Sequence, residues 1–146
     1  MIKFYKFTLL IFLILSTQAI GKEDFFNEAK ILFDNGKIEE SKFLFQRNIV
    51  FNPKHSKSYL YLAKIFQEKE NMEQEEINLQ NVLLINPQND EAIYMLALIK
   101  IEQSDYDKAE ELIKKFNLVC KSFCSKKKEI EDKLEKLTPE NAKNNN

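Results

Sequence analysis

The chain has 146 residues, with two glycines, three prolines and a formal net charge of −1. This length predicts one domain, and so few chain-breaking residues exclude an all-β sandwich with many tight turns. Nucleic-acid binding is also disfavoured, because a nucleic-acid binder takes most of its affinity from a basic surface that contacts phosphates. The densest basic run, residues 126–128, is followed at once by acidic residues.

The first 21 residues have the three-part layout of a secretory signal peptide. Residues 1–6 carry two lysines and no acid, residues 7–15 (FTLLIFLIL) are almost wholly apolar, and small or polar residues follow up to Gly21. The apolar run is shorter than the ~20 residues that span a bilayer. The pattern therefore predicts a signal peptide at 1–21, cut after Ala19 or Gly21, and a periplasmic or secreted protein. Retention as a membrane anchor is the alternative.

The rest of the chain repeats with a period of 34 residues. Residues 51–53 (FNP) recur as residues 85–87 (INP), and this shift divides the chain into rows 22–55, 56–89 and 90–123. Small or apolar residues share columns in the three rows: Ala29, Ala63 and Ala97; Ile38, Met72 and Tyr106; Phe45, Leu79 and Ile113. Helical spacing, at i, i+3, i+4 and i+7, appears within a row at Tyr59, Leu62, Ala63 and Phe66. The period predicts stacked helical units.

This arrangement resembles the tetratricopeptide repeat, whose 34-residue unit has small residues at its eighth and twentieth places and proline near its end. The row 90–123 matches best, with Ala97 and the segment 104–110 (SDYDKAE). The resemblance, to exported bacterial members of the family, implies an all-α fold. Three helical hairpins, one for each of the three rows, would stack as a short right-handed solenoid.

The second row departs from the pattern at two places. Glu70 replaces the usual turn glycine, and Glu75 stands where the family has alanine. We expect the carboxylate of Glu75 to tilt outwards or to loosen its hairpin, which makes the second repeat the least regular of the three.

A capping helix is predicted at residues 124–138, because a repeat stack needs a polar-backed helix at its open end. Ile130, Leu134 and Leu137 fall on one face of this helix. Residues 139–146, which end in three asparagines, have nothing to bury and are expected to be disordered.

Cys120 and Cys124 are the only cysteines, and an even count in an oxidising compartment predicts a disulfide. Residues four apart on a helix have Cβ atoms ~5–6 Å apart, whereas a disulfide needs roughly 3.5–4.5 Å. The bond therefore requires a break in the helix between the two cysteines. The alternative is a pair of free thiols or half of a metal site, but the one histidine, His55, is two repeats away. No metal or cofactor is expected.

Catalysis is not predicted. His55 falls in a turn between repeats, and the chain has neither a glycine-rich phosphate loop nor an aspartate-rich metal loop. No nucleophile and base are paired by a recognisable motif.

The resemblance implies that the first helix of each repeat lines a concave groove. The predicted partner-binding residues are Phe26, Lys30, Lys57, Leu60, Tyr61, Lys64, Tyr94, Met95, Leu98 and Ile101. Aromatic and apolar side chains beside cations are typical of interface anchors. For Leu98, packing against a neighbouring repeat is an equally good interpretation.

The function predicted from these features is that of an exported scaffold or adaptor that holds a protein or peptide segment in the groove. A chaperone tail is a disfavoured partner, since Glu91 and Met95 occupy the places of the cations that grip such a tail in the third repeat of family members. Two alternatives remain. In the first, the chain is a self-associating structural protomer of a cell-envelope assembly. In the second, it is an accessory subunit tethered to the membrane by an uncleaved N-terminal helix.

Overall fold

The computed structural model describes residues 25–137, and every regular element in this range is helical. The elements are α1 (Phe25–Asp34), α2 (Ile38–Phe51), α3 (Ser56–Glu68), α4 (Met72–Ile85), α5 (Asp90–Glu102), α6 (Tyr106–Val119), a 3₁₀ turn (Cys124–Lys126) and α7 (Lys127–Leu137). The signal peptide predicted at 1–21 and the tail predicted at 139–146 lie outside the described residues.

Consecutive helices form three hairpins, α1 with α2, α3 with α4, and α5 with α6. The hairpins stack in chain order, because α2 also packs on α3 and α4 on α5, while α7 packs on α5 and α6. This arrangement confirms the predicted all-α fold of stacked hairpins with a further helix at the C-terminal end. None of the described helices is both long and apolar enough to cross a membrane.

The turn inside each hairpin contains a residue with positive φ at the same position of the 34-residue repeat. Gly36, Glu70 and Ser104 have φ angles of +74°, +53° and +60°. Glycine adopts this left-handed conformation readily, whereas other residues are strained in it. The next helix then begins at a side-chain cap in the second and third hairpins, where Asn71 and Asp105 accept a hydrogen bond from a backbone N–H three residues on.

The small residues of the repeat allow close packing of the helices. Ala29, Ala63 and Ala97 are completely buried. A first core region joins α1, α2 and α3 and contains Ala29, Phe45, Leu62, Ile65 and Phe66. A larger second region joins α3 to α7, and its fully buried residues include Leu79, Val82, Ile93, Phe116 and Ile130. Each hairpin thus completes its core on the next one, as expected for a repeat stack.

The prediction for Glu75 was wrong. Its side chain is 6 % exposed and stays inside the hairpin. The second hairpin is not irregular either, since α3 and α4 have 13 and 14 residues, the lengths of α5 and α6. The carboxylate fits because a small pocket bordered by Met95 and Leu98 lies beside it.

The C-terminal helix α7 is fastened to the third hairpin. Ile130 is fully buried and Leu134 packs against the same core. The hydroxyl of Tyr94 donates a hydrogen bond to Glu129 Oε1 at 2.6 Å. Leu137, predicted on the apolar face, is instead about half exposed.

Candidate functional site

An open cleft of about 410 Å³ lies where the first helices of the three hairpins meet the loop after α6. We call it the lysine cleft, and it is lined by Phe26, Lys30, Lys57, Leu60, Tyr61, Lys64, Asn89, Asp90, Glu91, Ser122 and Phe123. The first six of these residues belong to the predicted groove. The fold therefore brings together six side chains that are spread over 39 residues of sequence.

The aromatic wall of the lysine cleft is a cluster of rings around Tyr61. The centroid of the Tyr61 ring lies 4.9 Å from that of Phe45, 5.2 Å from that of Phe33 and 5.7 Å from that of Phe26. The Phe26 ring also contacts His55 edge-on, at 4.6 Å. Rings packed on several sides have few alternative rotamers, so this wall is preorganised.

The three lysines of the cleft differ in their partners. Lys64 Nζ lies 2.6 Å from Glu91 Oε1 and 5.2 Å from the centroid of the Tyr61 ring. Lys30 pairs with Asp34 at 2.6 Å, and this hydrogen bond raises the pKa of Lys30. Lys57 is exposed and has no carboxylate within ion-pair distance among residues 25–137. Lys57 is therefore the cation that an acidic group of a partner would meet first.

A short disulfide-bonded loop forms one end of the cleft. Helix α6 ends at Val119, and the chain is non-helical until the 3₁₀ turn that begins at Cys124. Cys120 and Cys124 are bonded in the structure, with Cα atoms 5.3 Å apart. The helix break that the sequence required between the two cysteines is present.

Asp90, at the start of α5, holds this loop in place. Its Oδ2 accepts hydrogen bonds from three successive backbone N–H groups, those of Lys121, Ser122 and Phe123, at 2.6–3.0 Å. Burial raises the pKa of Asp90, but these hydrogen bonds outweigh burial and keep the pKa below its ordinary value. Sequence reasoning missed this residue. Its only signal was an acid at the first position of a predicted helix, which usually denotes a favourable helix-dipole contact.

Tyr94 and Ile101 are not open to a partner. The ring of Tyr94 lies beside those of Phe116 and Phe123 and the residue is 7 % exposed. Burial and the hydrogen bond to Glu129 raise the pKa of its hydroxyl. Ile101 is 1 % exposed. The groove interpretation failed at these two positions because both side chains belong to the core, and at Tyr94 helix α7 packs on α5 as a further repeat would.

The remaining two predicted residues, Met95 and Leu98, lie at a second, smaller pocket. We call it the Glu75 pocket. It has a volume of about 210 Å³ and is lined by Gln67, Glu70, Met72, Glu75, Met95, Leu98, Ile99 and Glu102. On α3, Gln67 of this pocket lies one turn beyond Lys64 of the lysine cleft, so the two depressions are neighbours on the same face.

Among the described residues, His55 and Ser58 place a hydroxyl beside an imidazole, as a nucleophile and its base would be. His55 Nδ1 lies 2.9 Å from Ser58 Oγ, which also accepts a hydrogen bond from Asn48 Nδ2 at 2.8 Å. Ser58 is completely buried, and its hydroxyl joins α2 to α3. The geometry is therefore that of a packing interaction. Within residues 25–137, no three potential ligand side chains are grouped closely enough to hold a metal ion.

Comparison with known proteins identifies the repeat. Residues 90–117 match the tetratricopeptide repeat family. No curated protein matches the chain significantly by sequence.

Solved structures of tetratricopeptide repeat proteins have the same fold. SycD, a type III secretion chaperone of Yersinia enterocolitica solved with a peptide of the translocator YopD, aligns with a TM-score of 0.67 and 14 % identity over 84 % of this chain and 95 % of SycD. PcrH of Pseudomonas aeruginosa, solved with the chaperone binding region of PopD, aligns with a TM-score of 0.68 and 15 % identity over 86 % of this chain and 97 % of PcrH. The second tetratricopeptide repeat domain of human RPAP3, solved with an HSP70 peptide, aligns with a TM-score of 0.62 and 14 % identity over 76 % of this chain and 89 % of that domain. At these identities the likeness is one of fold.

Proposed function

Because the chain is folded as a stack of tetratricopeptide repeats, we propose that it is an exported scaffold that binds a segment of a protein partner in the lysine cleft and catalyses no reaction. The observation that carries the proposal is the composition of the cleft. A preorganised aromatic wall stands beside Lys57, an exposed cation without a partner among the described residues.

Peptide binding by proteins of the same fold supports this proposal. SycD, PcrH and RPAP3 were each solved with a segment of another protein. The lysine cleft has the features that such binding requires, namely apolar surface for an anchor and polar groups at its edge.

The chemistry of the cleft selects a segment with an apolar residue next to an acidic one. Phe26 and Phe123, which are half-buried, offer the apolar contact, and Lys57 offers the charge. Lys64 is less available, since Glu91 already neutralises it. The segment would lie extended along the first helices, where it can contact α1, α3 and α5 at once.

Export is part of the proposal and is supported by the N-terminal sequence pattern and by the bonding of Cys120 to Cys124. Intact mass spectrometry of the protein recovered from its native cells tests both points. The expected mass lacks residues 1–19 or 1–21 and is two hydrogens below that of the dithiol. A mass that retains the N-terminal segment would instead favour the membrane-tethered accessory subunit.

The binding proposal is tested by charge reversal in the cleft. The variant Lys30→Glu with Lys57→Glu should lose a partner that the wild type captures by cross-linking in the envelope. Its matched control, Lys54→Glu with Lys127→Glu, changes the net charge equally at exposed positions outside the cleft and should retain the partner. Calorimetry with the purified partner segment then verifies direct binding.

Equal capture by both variants would show that the cleft is not the binding surface. Loss from both would show that the association depends only on net charge, and would also contradict the proposal. Circular dichroism of the variants checks that each one is folded.

A second candidate function, that of a self-associating structural protomer, is favoured by exposed apolar residues on the second helix of each hairpin. Val50, Leu84 and Leu118 occupy one column of the period and are 75 %, 81 % and 87 % exposed. A row of exposed apolar side chains is a common feature of interfaces. Light scattering at micromolar concentration tests this candidate. An oligomer that dissociates in the variant Leu84→Ser with Leu118→Ser supports it, and a monomeric wild type rules it out.

A further inference from the structure

The Glu75 pocket is lined by a carboxylate that no contact within the described fold explains. Glu75 is 6 % exposed and lines the pocket, yet its carboxylate has no hydrogen bond or ion pair with any residue in the described range. A charged side chain with so little exposure is usually paired, because an unpaired one destabilises the folded state.

The other two repeats show what the fold alone needs at this place. Ser41 and Ala109 occupy the same column as Glu75, and both are completely buried. The hydroxyl of Ser41 is satisfied by the carbonyl of Ile38 at 2.9 Å. A small side chain is therefore sufficient for packing, and the carboxylate of Glu75 is an addition that opens into the pocket.

The charges around the pocket are predominantly negative. Glu70, in the turn before α4, and Glu102, near the end of α5, also line it. Glu102 is paired with Lys133 of α7 at 3.2 Å, on the exposed side, and Glu70 has no ion pair among the described residues. Burial, and next the charge of Glu102, raise the pKa of Glu75 to about 7. A cation placed in the pocket would stabilise the charged form of Glu75 and so offset both causes of its raised pKa.

The walls of the pocket suit a long side chain better than a bare ion. Met72 and Leu98, which are half-buried, provide apolar surface beside the carboxylates, with Met95 and Ile99 in the core behind them. Within residues 25–137, moreover, no three potential ligand side chains are grouped as a metal site requires. Lysine and arginine combine an apolar stem with a charged head, which matches this distribution.

We propose that the Glu75 pocket receives a lysine or arginine side chain of the partner segment, whose charged head pairs with Glu75 and whose stem packs on Met72 and Leu98. This inference rests on the proposed peptide binding and names a second anchor of the same segment. Along α5, Glu91 at the lysine cleft and Glu102 at the Glu75 pocket are separated by about 16 Å. An extended segment covers this distance in about five residues, so the basic anchor lies roughly that far from the apolar one.

A library of random 12-residue peptides displayed on phage tests the inference with the mature protein. Selected peptides should carry a lysine or arginine about five residues from an apolar residue. The variant Glu75→Gln should select the apolar residue without the basic one. The matched control Glu73→Gln, an exposed acid in the first turn of the same helix, should select the same peptides as the wild type.

One selected lysine peptide then gives a double-mutant comparison. Its affinity should fall at least about tenfold in Glu75→Gln, the loss expected for a charge-assisted hydrogen bond. The same peptide with norleucine in place of lysine should bind both proteins equally. The lysine peptide should also bind more tightly at pH 8 than at pH 6, because Glu75 ionises across this range, whereas the norleucine peptide should not.

The outcomes separate the two proposals. Peptides without a basic preference, or an affinity unchanged in Glu75→Gln, overturn the inference and leave the lysine cleft as the binding site. Failure to select any peptide contradicts the proposed function, and the inference with it.

Discussion

Glu75 and Asp90 are acidic side chains on neighbouring helices whose pKa values move in opposite directions. Burial raises the pKa of Glu75 to about 7, with a further contribution from Glu102. Asp90 is also affected by burial, but three backbone N–H groups of the disulfide loop bind its carboxylate and lower its pKa. The difference arises from hydrogen bonding to the charged form, which Asp90 has and Glu75 lacks.

We therefore predict a pH-dependent stability difference between the wild type and Glu75→Gln. Between about pH 4.5 and 7, the folded protein keeps a proton on Glu75 that the unfolded chain has released, so the free energy of unfolding falls as pH rises through this range. The full effect is at most about 3 kcal/mol, and access of water through the pocket reduces it to about 1–2 kcal/mol. Urea unfolding from pH 4.5 to 8 should show the variant gaining stability relative to the wild type as pH rises.

The exposed Glu73→Gln serves as the control for this measurement. It lies in the first turn of the same helix, and its stability difference from the wild type should stay within about 0.5 kcal/mol at every pH. Parallel stability curves for Glu75→Gln and the wild type would show that the pKa of Glu75 is not raised.

At the scale of single elements, the three hairpin turns share one backbone conformation but not one residue type. Gly36 has no side chain to strain, while Glu70 and Ser104 adopt positive φ angles with a Cβ atom. A Cβ atom added at Gly36 would meet nothing within 4 Å. Any effect of substitution there is therefore a backbone effect, without a steric clash.

We predict that Ser104→Gly raises the free energy of unfolding by about 0.5–1 kcal/mol and that Gly36→Ala lowers it by about 1 kcal/mol. Both effects follow from the preference of the left-handed region for glycine. Thermal or urea unfolding of the two single variants measures them. Changes of the same sign in both variants would refute the explanation.

The disulfide loop and α7 act together as the end element of the stack. Asp90 holds the loop from α5, the bond between Cys120 and Cys124 closes it, and Ile130 anchors α7 in the core. This element also forms part of the lysine cleft through Ser122 and Phe123. The end of the stack is thus both a cover for the third hairpin and a wall of the candidate binding site.

For the whole molecule, burial is unequal along the stack. Helix α5 has buried residues on every side, eight of its 13, whereas only Phe25 and Ala29 are buried in the ten residues of α1. In a repeat stack, each unit is stabilised mainly by its neighbours. The centre of the larger core, around α5 and α6, is therefore expected to open last.

Hydrogen exchange of the full chain should show this order. Amides of α5 and α6 should exchange only by global unfolding, and those of α1 should exchange faster, through partial opening of the first hairpin. Mass spectrometry of peptides after deuterium labelling distinguishes the two classes. Equal protection of α1 and α5 would mean that the stack opens as one cooperative unit.

The sequence by itself determined the repeat and the fold class. Ala29, Ala63 and Ala97 recur every 34 residues and are buried together, because helix formation and hairpin packing depend on local spacing that each repeat carries in full. The helix break between Cys120 and Cys124 followed from the same kind of local geometry.

Only the tertiary structure decided which side chains remain open to a partner. Tyr94 and Ile101 occupy groove places of the repeat, yet both are buried, Tyr94 beneath α7, while Lys57 stays exposed beside the loop that Asp90 holds. Glu75 was expected to tilt outwards or to loosen its hairpin, and it does neither, because a pocket between hairpins accommodates its carboxylate. Exposure depends on what packs against a helix from elsewhere in the chain, and a period of 34 residues contains no information about that contact.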